Sequence, residues 1–340
     1  MRTDDFDYDL PPAFIAQHPA QPRDSSRLMV LDRGAGSIAH AVFRDLPQYL
    51  KPGDVLVVNE TRVIPARLRA RKHPSGGRIE LLLLRRLEPR LWEVIVGGRG
   101  VGLGQVVRVE GGPRGVIEAV GDGAVRRVRF DEPISPLLES IGAVPLPPYI
   151  HEPLRDPSDY QTVFARHPGS AAAPTAGLHF TPSLLQSIET AGVTLARVLL
   201  HVGLDTFAPV DEDDPREHRI HREYCELDDT TAEAVNRARR AGGRVVSVGT
   251  TTVRTLETAA RGAGPGTTVA PFAGETDLLI LPGHTFRAVD LMITNFHLPR
   301  STLLMLVSAF VGRERILAAY ETAKAEGYRF YSFGDAMLIV

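Results

Sequence analysis

Between positions 66 and 142 the chain places 13 of its 31 glycines in 77 of its 340 residues. Short apolar runs lie between them, at 79–84, 91–96, 106–109, 116–120 and 125–130. Gly76, Gly77, Gly97, Gly98, Gly111, Gly112, Gly121 and Gly123 punctuate the runs. Glycine reaches positive φ without a steric penalty, so runs of this length at about ten-residue spacing read as strands joined by tight turns. The segment is therefore expected to close as a small β-barrel or sandwich. Val144-Pro-Leu-Pro-Pro-Tyr-Ile150 follows as a stiff exit segment, because proline fixes φ.

Beyond it the pattern changes to helices alternating with strands. Thr181-Pro182 starts a helix whose apolar face is Leu184, Leu185 and Ile188, and Gly192 ends it. Strand-like runs are expected at 193–202, 244–248, 278–281, 290–295 and 328–333. Helices are expected at 229–241, 250–260, 301–310 and 313–326. This alternation predicts an α/β sheet covered by helices. The strand-like run 54–59 lies before the glycine-rich segment. The expected organisation is thus an α/β domain from 1–60 and 146–340, with a small β-barrel domain inserted at 61–145.

Composition narrows the class. Apolar residues make up 43% and charged residues 24%, as in ordinary globular chains. No apolar run approaches the roughly 20 residues of a membrane helix. The acidic start (Asp4, Asp5, Asp7) carries no secretory pattern, so a cytoplasmic location is expected and no membrane partner. A single cysteine, Cys225, excludes an internal disulfide and a cysteine-based zinc cluster. Net charge is −2, from 39 basic and 41 acidic residues, which neither supports nor excludes a nucleic-acid partner, since binding needs only a local patch. Lysines stand only at Lys51, Lys72 and Lys324, so anion contacts fall mostly to planar guanidinium groups.

Several strand–helix junctions can hold a ligand, and each has a plainer structural reading. Val246-Ser-Val-Gly-Thr-Thr-Thr-Val-Arg254 ends a strand at Gly249 and starts a helix. Its N–H groups, the hydroxyls of Thr250 and Thr251, and Arg254 suit a phosphate or carboxylate; otherwise it is a capped helix. It is neither a Walker loop nor a G-x-G-x-x-G fingerprint. Ala171-Ala-Ala-Pro-Thr-Ala-Gly-Leu-His-Phe-Thr181 has small residues, with Thr175 and Gly177, that let backbone pass close to a ligand or to the sheet. His179 before a helix start is expected to be neutral. In Thr294-Asn-Phe-His-Leu-Pro299, Asn295 and His297 offer polar contacts and Phe296 a stacking face or a core ring. Asp335 follows an aromatic run and is an acid or a turn residue. Arg62 and Arg67 sit at the predicted domain junction, as anion clamps or salt-bridge partners. His218, His221 and Glu223 lack the spacing of a metal helix, and no metal is expected. No nucleophile elbow is present.

The same segments resemble one family from end to end. They are Phe6-Asp-Tyr-Asp-Leu-Pro11, Asn59-Glu-Thr-Arg-Val-Ile-Pro-Ala-Arg67, Pro145-Leu-Pro-Pro-Tyr-Ile150 and Ala173-Pro-Thr-Ala-Gly-Leu-His-Phe-Thr181. His201-Val-Gly-Leu204, Val248-Gly-Thr-Thr251, Ile293-Thr-Asn-Phe-His-Leu-Pro299 and Gly334-Asp-Ala-Met-Leu-Ile339 continue the match. The chain resembles the S-adenosylmethionine:tRNA ribosyltransferase-isomerase family of the queuosine pathway. The resemblance implies an α/β domain with a small β-barrel domain. It also implies transfer of the ribosyl part of S-adenosylmethionine to 7-aminomethyl-7-deazaguanine at the tRNA wobble position, with rearrangement to epoxyqueuosine and release of adenine and methionine. S-adenosylmethionine is then a consumed co-substrate, with no further cofactor, and the anticodon stem-loop of tRNA is the partner of an expected monomer.

That chemistry asks for a base at the carbon beside the sulfonium, an acid at the leaving purine and a neutral attacking amine. His179 and His297 are the expected bases, and Asp335 the acid or amine-positioning group. The Gly249 turn with Thr250, Thr251 and Arg254 is expected to hold the methionine carboxylate, with Thr175 and Gly177 beside the substrate. Asn295 and Phe296 are expected to read and stack a purine. Arg62 and Arg67 are expected to contact RNA in or beside a crevice between the domains. Four positions depart from the family pattern: Glu60 for Asp, Ser170 for Ala, and Asp205 and Ala208 for Gly and Arg. Two other readings compete, a non-catalytic binder of RNA or an adenosyl ligand, and a small-molecule methyltransferase. The intact histidine and threonine motifs oppose the first. The lack of a glycine-rich first strand–helix turn opposes the second.

Overall fold

The computed structural model describes residues 1–154, 156–203 and 210–340. Among these the chain forms two compact units. The first is Met1–Thr61, Pro148–His167 and Ala173–Val340; the second is Arg62–Pro147 with Pro168–Ala172.

In chain order the strands are β1 (Arg27–Leu31), β2 (Ile38–Val42), β3 (Val55–Asn59), β4 (Thr61–Val63), β5 (Arg67–His73), β6 (Arg78–Arg86), β7 (Leu91–Gly97), β8 (Val106–Val109), β9 (Arg114–Val120) and β10 (Val125–Phe130). A short helix α1 (Leu138–Ile141), β11 (Gly142–Ala143), β12 (His167–Ser170), α2 (Pro182–Thr190), β13 (Thr194–Leu200), β14 (Glu223–Leu227) and α3 (Asp229–Arg240) follow. The chain ends with β15 (Val245–Val248), α4 (Thr250–Arg261), β16 (Phe272–Thr276), β17 (Leu291–Asn295), α5 (Thr302–Val311), α6 (Arg313–Ala325) and β18 (Ala336–Ile339).

The first unit is a mixed nine-stranded sheet in the order β16-β14-β13-β3-β15-β17-β18-β1-β2. Its centre, β13-β3-β15-β17, is parallel. Successive side chains of a strand point to opposite faces, and here both faces are buried. Val55 and Val57 pack with α3 and α4 residues such as Val235 and Leu256, while Leu56 and Val58 pack with Leu184 and Ile188 of α2. A strand buried on both sides has to be apolar throughout, and β3 is Val-Leu-Val-Val-Asn. The expected α/β class holds.

The second unit is a closed antiparallel barrel, β5-β6-β7-β10-β9-β8, joined back from β8 to β5. Its strands bury alternate residues, such as Leu68 and Ala70 on β5. The glycine-turn reading anticipated five of these strands. It missed β5, whose outward positions are Arg69, Arg71 and His73, so apolar content alone does not reveal it.

Two expected strands are corrected. Residues 278–281 form no ladder; the strand is Phe272–Thr276, an edge paired only with β14, where backbone bonding suffices without an apolar run. Residues 328–333 make only the isolated bridge Ile15–Phe330, because Tyr331 turns to φ +68°, and the last strand is β18.

Candidate active site

Three parallel strands end at one edge of the large sheet, and a pocket partly open to solvent lies there. Val202 follows β13, Gly249–Thr251 follow β15, and Thr294–Leu298 end and follow β17. Open α/β sheets bind ligands at this edge because loops diverge there and helix N-termini point inward.

Gly249 makes the turn into α4 with φ +85° and ψ 159°, a region closed to residues with a Cβ. The first N–H groups of α4 have no intrahelical acceptor, and Thr250 and Thr251 line the pocket. Asn59 locks this corner. Its Nδ2 donates to the Leu200 carbonyl at 3.0 Å and to Thr251 Oγ1 at 3.3 Å, and its Oδ1 accepts from the N–H groups of Leu200 and Thr61, each at 3.1 Å.

His297 lines the pocket and is 9% exposed. Its Nε2 pairs with Thr294 Oγ1 at 2.7 Å. Its Nδ1 has no protein partner among the described residues. Burial pushes the ring pKa down to about 3, so the imidazole is neutral. Tyr320 Oη accepts from its N–H at 2.9 Å, and Tyr8 Oη donates to its carbonyl. The ring is therefore held from both sides of its backbone.

His179, the other expected base, is placed differently. Asn295 Nδ2 donates to its Nε2 at 3.2 Å, which leaves the proton on Nδ1 to donate to Ser26 Oγ at 2.8 Å. Its ring stacks on Phe43, and burial lowers its pKa to about 4. Both nitrogens are committed and it does not line the pocket, so it is a positioning residue for Asn295. Asn295 is also fully used: it donates to the Tyr331 carbonyl at 3.1 Å and accepts from Thr175 Oγ1 at 3.1 Å. It lines the pocket as a brace and has no donor left to read a purine.

Four further residues have contacts other than those their expected roles call for. Arg254 does not line the pocket; it forms a buried ion pair with Glu223, and its Nε donates to the Leu278 carbonyl at 3.1 Å. Asp335 accepts from the N–H groups of Arg27 and Arg329 at 3.0 and 2.7 Å and from the Arg329 guanidinium, so it closes a turn and is no free acid. Phe296 touches the pocket, but its ring is fully buried among Tyr320, Tyr328 and Phe330 and offers no open face. Gly177 serves close packing, since a Cβ there would stand 2.7 Å from the Phe164 ring.

The pocket's aromatic surface comes from Tyr149 and Tyr331, whose rings lie 4.8 Å apart at 55°. Residue-by-residue reading passed over both. Tyr331 sits at a positive φ, which is costly for a large side chain and clusters at functional sites. The Phe296 carbonyl, Asn295 and the Asp335-closed turn hold it there. Its place inside the aromatic run was the available signal. Tyr149 Oη bonds Ser332 Oγ at 2.8 Å, and burial raises both phenols, so they stay protonated.

Outside the pocket, Arg62 is exposed and Arg67 pairs with Glu80 at 3.5 Å. Glu60, one departure from the family pattern, lies within 4 Å of Arg166, His167 and Arg197. Ser170 donates to the Ala172 carbonyl. Asp205 and Ala208 lie outside the described residues. His218 pairs with Glu212, and among the described residues no three His, Cys, Asp or Glu side chains gather around a common metal position. Among those residues no helix is long and apolar enough to cross a membrane.

A family model described as queuosine biosynthesis protein matches residues 3–339. The S-adenosylmethionine:tRNA ribosyltransferase-isomerase of Symbiobacterium thermophilum is 53% identical over 344 residues, with all of both chains covered. That of Moorella thermoacetica is 54% identical over 345 residues, again with all of both chains covered. The crystal structure of an S-adenosylmethionine tRNA ribosyltransferase from Thermotoga maritima superposes with a TM-score of 0.58 at 40% identity, covering 99% of this chain and 100% of that one.

Proposed function

The chain belongs to the queuosine biosynthesis protein family, and from that membership we propose that it moves and isomerises the ribosyl part of S-adenosylmethionine onto 7-aminomethyl-7-deazaguanine at the tRNA wobble position. The products are epoxyqueuosine in tRNA, adenine and methionine. It is an enzyme of the transferase-isomerase type, as its curated relatives are. S-adenosylmethionine is consumed as co-substrate, no separate cofactor takes part, and the enzyme works as a cytoplasmic monomer on the anticodon stem-loop.

The observation that carries this reading is His297: a neutral imidazole with one open nitrogen, in a pocket that also receives the N-terminus of α4. The sulfonium acidifies the adjacent 5′ carbon, and Nδ1 of His297 accepts the proton there. Thr294 Oγ1 holds the opposite nitrogen and fixes the ring. The first turn of α4 receives the methionine carboxylate, an anion suited to unpaired N–H groups and the positive helix end. Tyr149 and Tyr331, packed against each other, offer one aromatic wall to a purine or deazapurine ring, and their protonated hydroxyls are the donors at hand for the leaving adenine. Asn295, Asp335 and His179 act one layer out by fixing Tyr331 and its turn.

Incubation with S-adenosylmethionine and tRNA carrying 7-aminomethyl-7-deazaguanine, followed by chromatography, tests the reading. Adenine and methionine in equal amounts are expected. Formation of S-adenosylhomocysteine would make it a methyltransferase, and no turnover at all would leave the non-catalytic alternative.

A further inference from the structure

The net charge of −2 hides a segregation. The barrel unit carries 15 Lys and Arg against 9 Asp and Glu, a net of +6, so the rest of the chain carries −8. Strand register concentrates part of this excess. Arg71 on β5 stands directly opposite Arg78 on β6 and opposite Arg108 on β8, and Arg108 stands opposite Arg114 on β9. Side chains at paired positions share a face, and all four arginines are exposed. At about 4.8 Å between strands they form a row roughly 14 Å long on the rigid outer wall.

Like charges directly opposite one another destabilise a sheet. The same wall avoids this two residues along β5, where Arg69 stands opposite Glu80 and its carbonyl accepts from the N–H of Glu110, just past β8. In the arginine row only the Arg71 guanidinium pairs with a carboxylate, Glu110 at 3.1 Å. The guanidinium groups of Arg78, Arg108 and Arg114 have no carboxylate within 4 Å among the described residues; Asp131 accepts from the backbone N–H of Arg114 at 3.0 Å. An exposed pair such as Arg71–Glu110 opens at little cost. We propose that this row is a docking surface for the phosphate backbone of tRNA, on the duplex stem that continues from the anticodon loop. A run of guanidinium groups matches a run of phosphates in charge, and it reads no base, as a contact outside the modified nucleotide requires. The inference rests on the proposed action on tRNA.

The test uses the full-length enzyme, unmodified tRNA and filter binding across a salt series. Each duplex phosphate contact contributes about −0.9 to the slope of log K against log salt, which amounts to roughly 8-fold in affinity at 0.1 M salt. Arg108→Gln with Arg114→Gln is expected to weaken binding by about 60-fold at 0.1 M salt and to flatten the slope by about 1.8. The KM for tRNA rises with it, and the KM for S-adenosylmethionine stays. Thermal unfolding of the double variant is expected at or above the wild-type temperature, because a like-charge contact is relieved. Arg69→Gln, on the same wall, is expected to change binding less than 2-fold. Wild-type affinity and slope in the double variant would overturn this inference alone, as would an equal loss in Arg69→Gln. A wild-type enzyme that binds tRNA through the row but releases no adenine from S-adenosylmethionine would overturn the ribosyl-transfer reading and support the docking surface.

Discussion

Arg254 separates two accounts of the same helix. As a carboxylate clamp, its removal would weaken S-adenosylmethionine binding and spare stability. The structure places it in an ion pair with Glu223, with both side chains 6% exposed. Arg254→Met then leaves a carboxylate buried without its cation and the Leu278 carbonyl without its donor. Breaking a buried pair from one side costs about 3–5 kcal/mol. At roughly 2–4 °C per kcal/mol this lowers the unfolding temperature of the sheet unit by about 6–20 °C. Pairing Arg254→Met with Glu223→Gln removes the orphaned charge and keeps an acceptor for the Gly203 N–H, which Glu223 now holds at 2.9 Å. The double variant is expected to regain at least about 2 kcal/mol of the loss, a coupling typical of groups in direct contact. Urea unfolding followed by far-UV circular dichroism reports the sheet unit. Fluorescence of the single tryptophan, Trp92, reports the barrel and is expected to change little. At a temperature where the variant is folded, the KM for S-adenosylmethionine stays within about 2-fold of wild type, since uniform binding is untouched. A variant of wild-type stability whose KM rises ten-fold would refute the reasoning and restore the clamp.

His297→Gln is expected to cut kcat by about 100-fold or more with little change in KM, as loss of a general base does; wild-type turnover would make it a packing residue. Stability should depend on the desolvated histidines below neutral pH. His179 and His201 are each depressed to about 4 and His297 to about 3, so protonation favours the unfolded chain. Their contribution is full above about pH 6.5 and falls as pH drops towards those values, by about 1.4 kcal/mol per pH unit each. Together they cost about 6 kcal/mol by pH 5, and His297→Gln should remove about a third of that slope between pH 6 and 5 in urea titrations; parallel slopes would refute it. Gly177→Ala should lose about 1–3 kcal/mol by overpacking against Phe164 and Thr162, and an unchanged urea midpoint would refute that.

What was legible in the sequence is what is local. Glycine turns and apolar runs mark the barrel strands, because a turn's φ and a strand's two-residue period are set within a few residues. The alternation after position 181 marks the sheet and its helices for the same reason. Long motifs kept in order identify the family without any geometry. Tertiary structure decided where each side chain ends. Arg254 looks like a ligand group beside a helix start, yet it turns to Glu223 on a strand 31 residues earlier. Phe296 is a stacking candidate by position and a core ring by packing with Tyr320, Tyr328 and Phe330. Tyr149 and Tyr331 meet across 182 positions of chain, and only the fold brings them to one pocket. The arginine row depends on register between β5, β6, β8 and β9, which no single strand encodes. A side chain's chemistry is written in its own residue. Its partner, and so its charge state and its access to a ligand, is set by long-range pairing, which only the folded chain resolves.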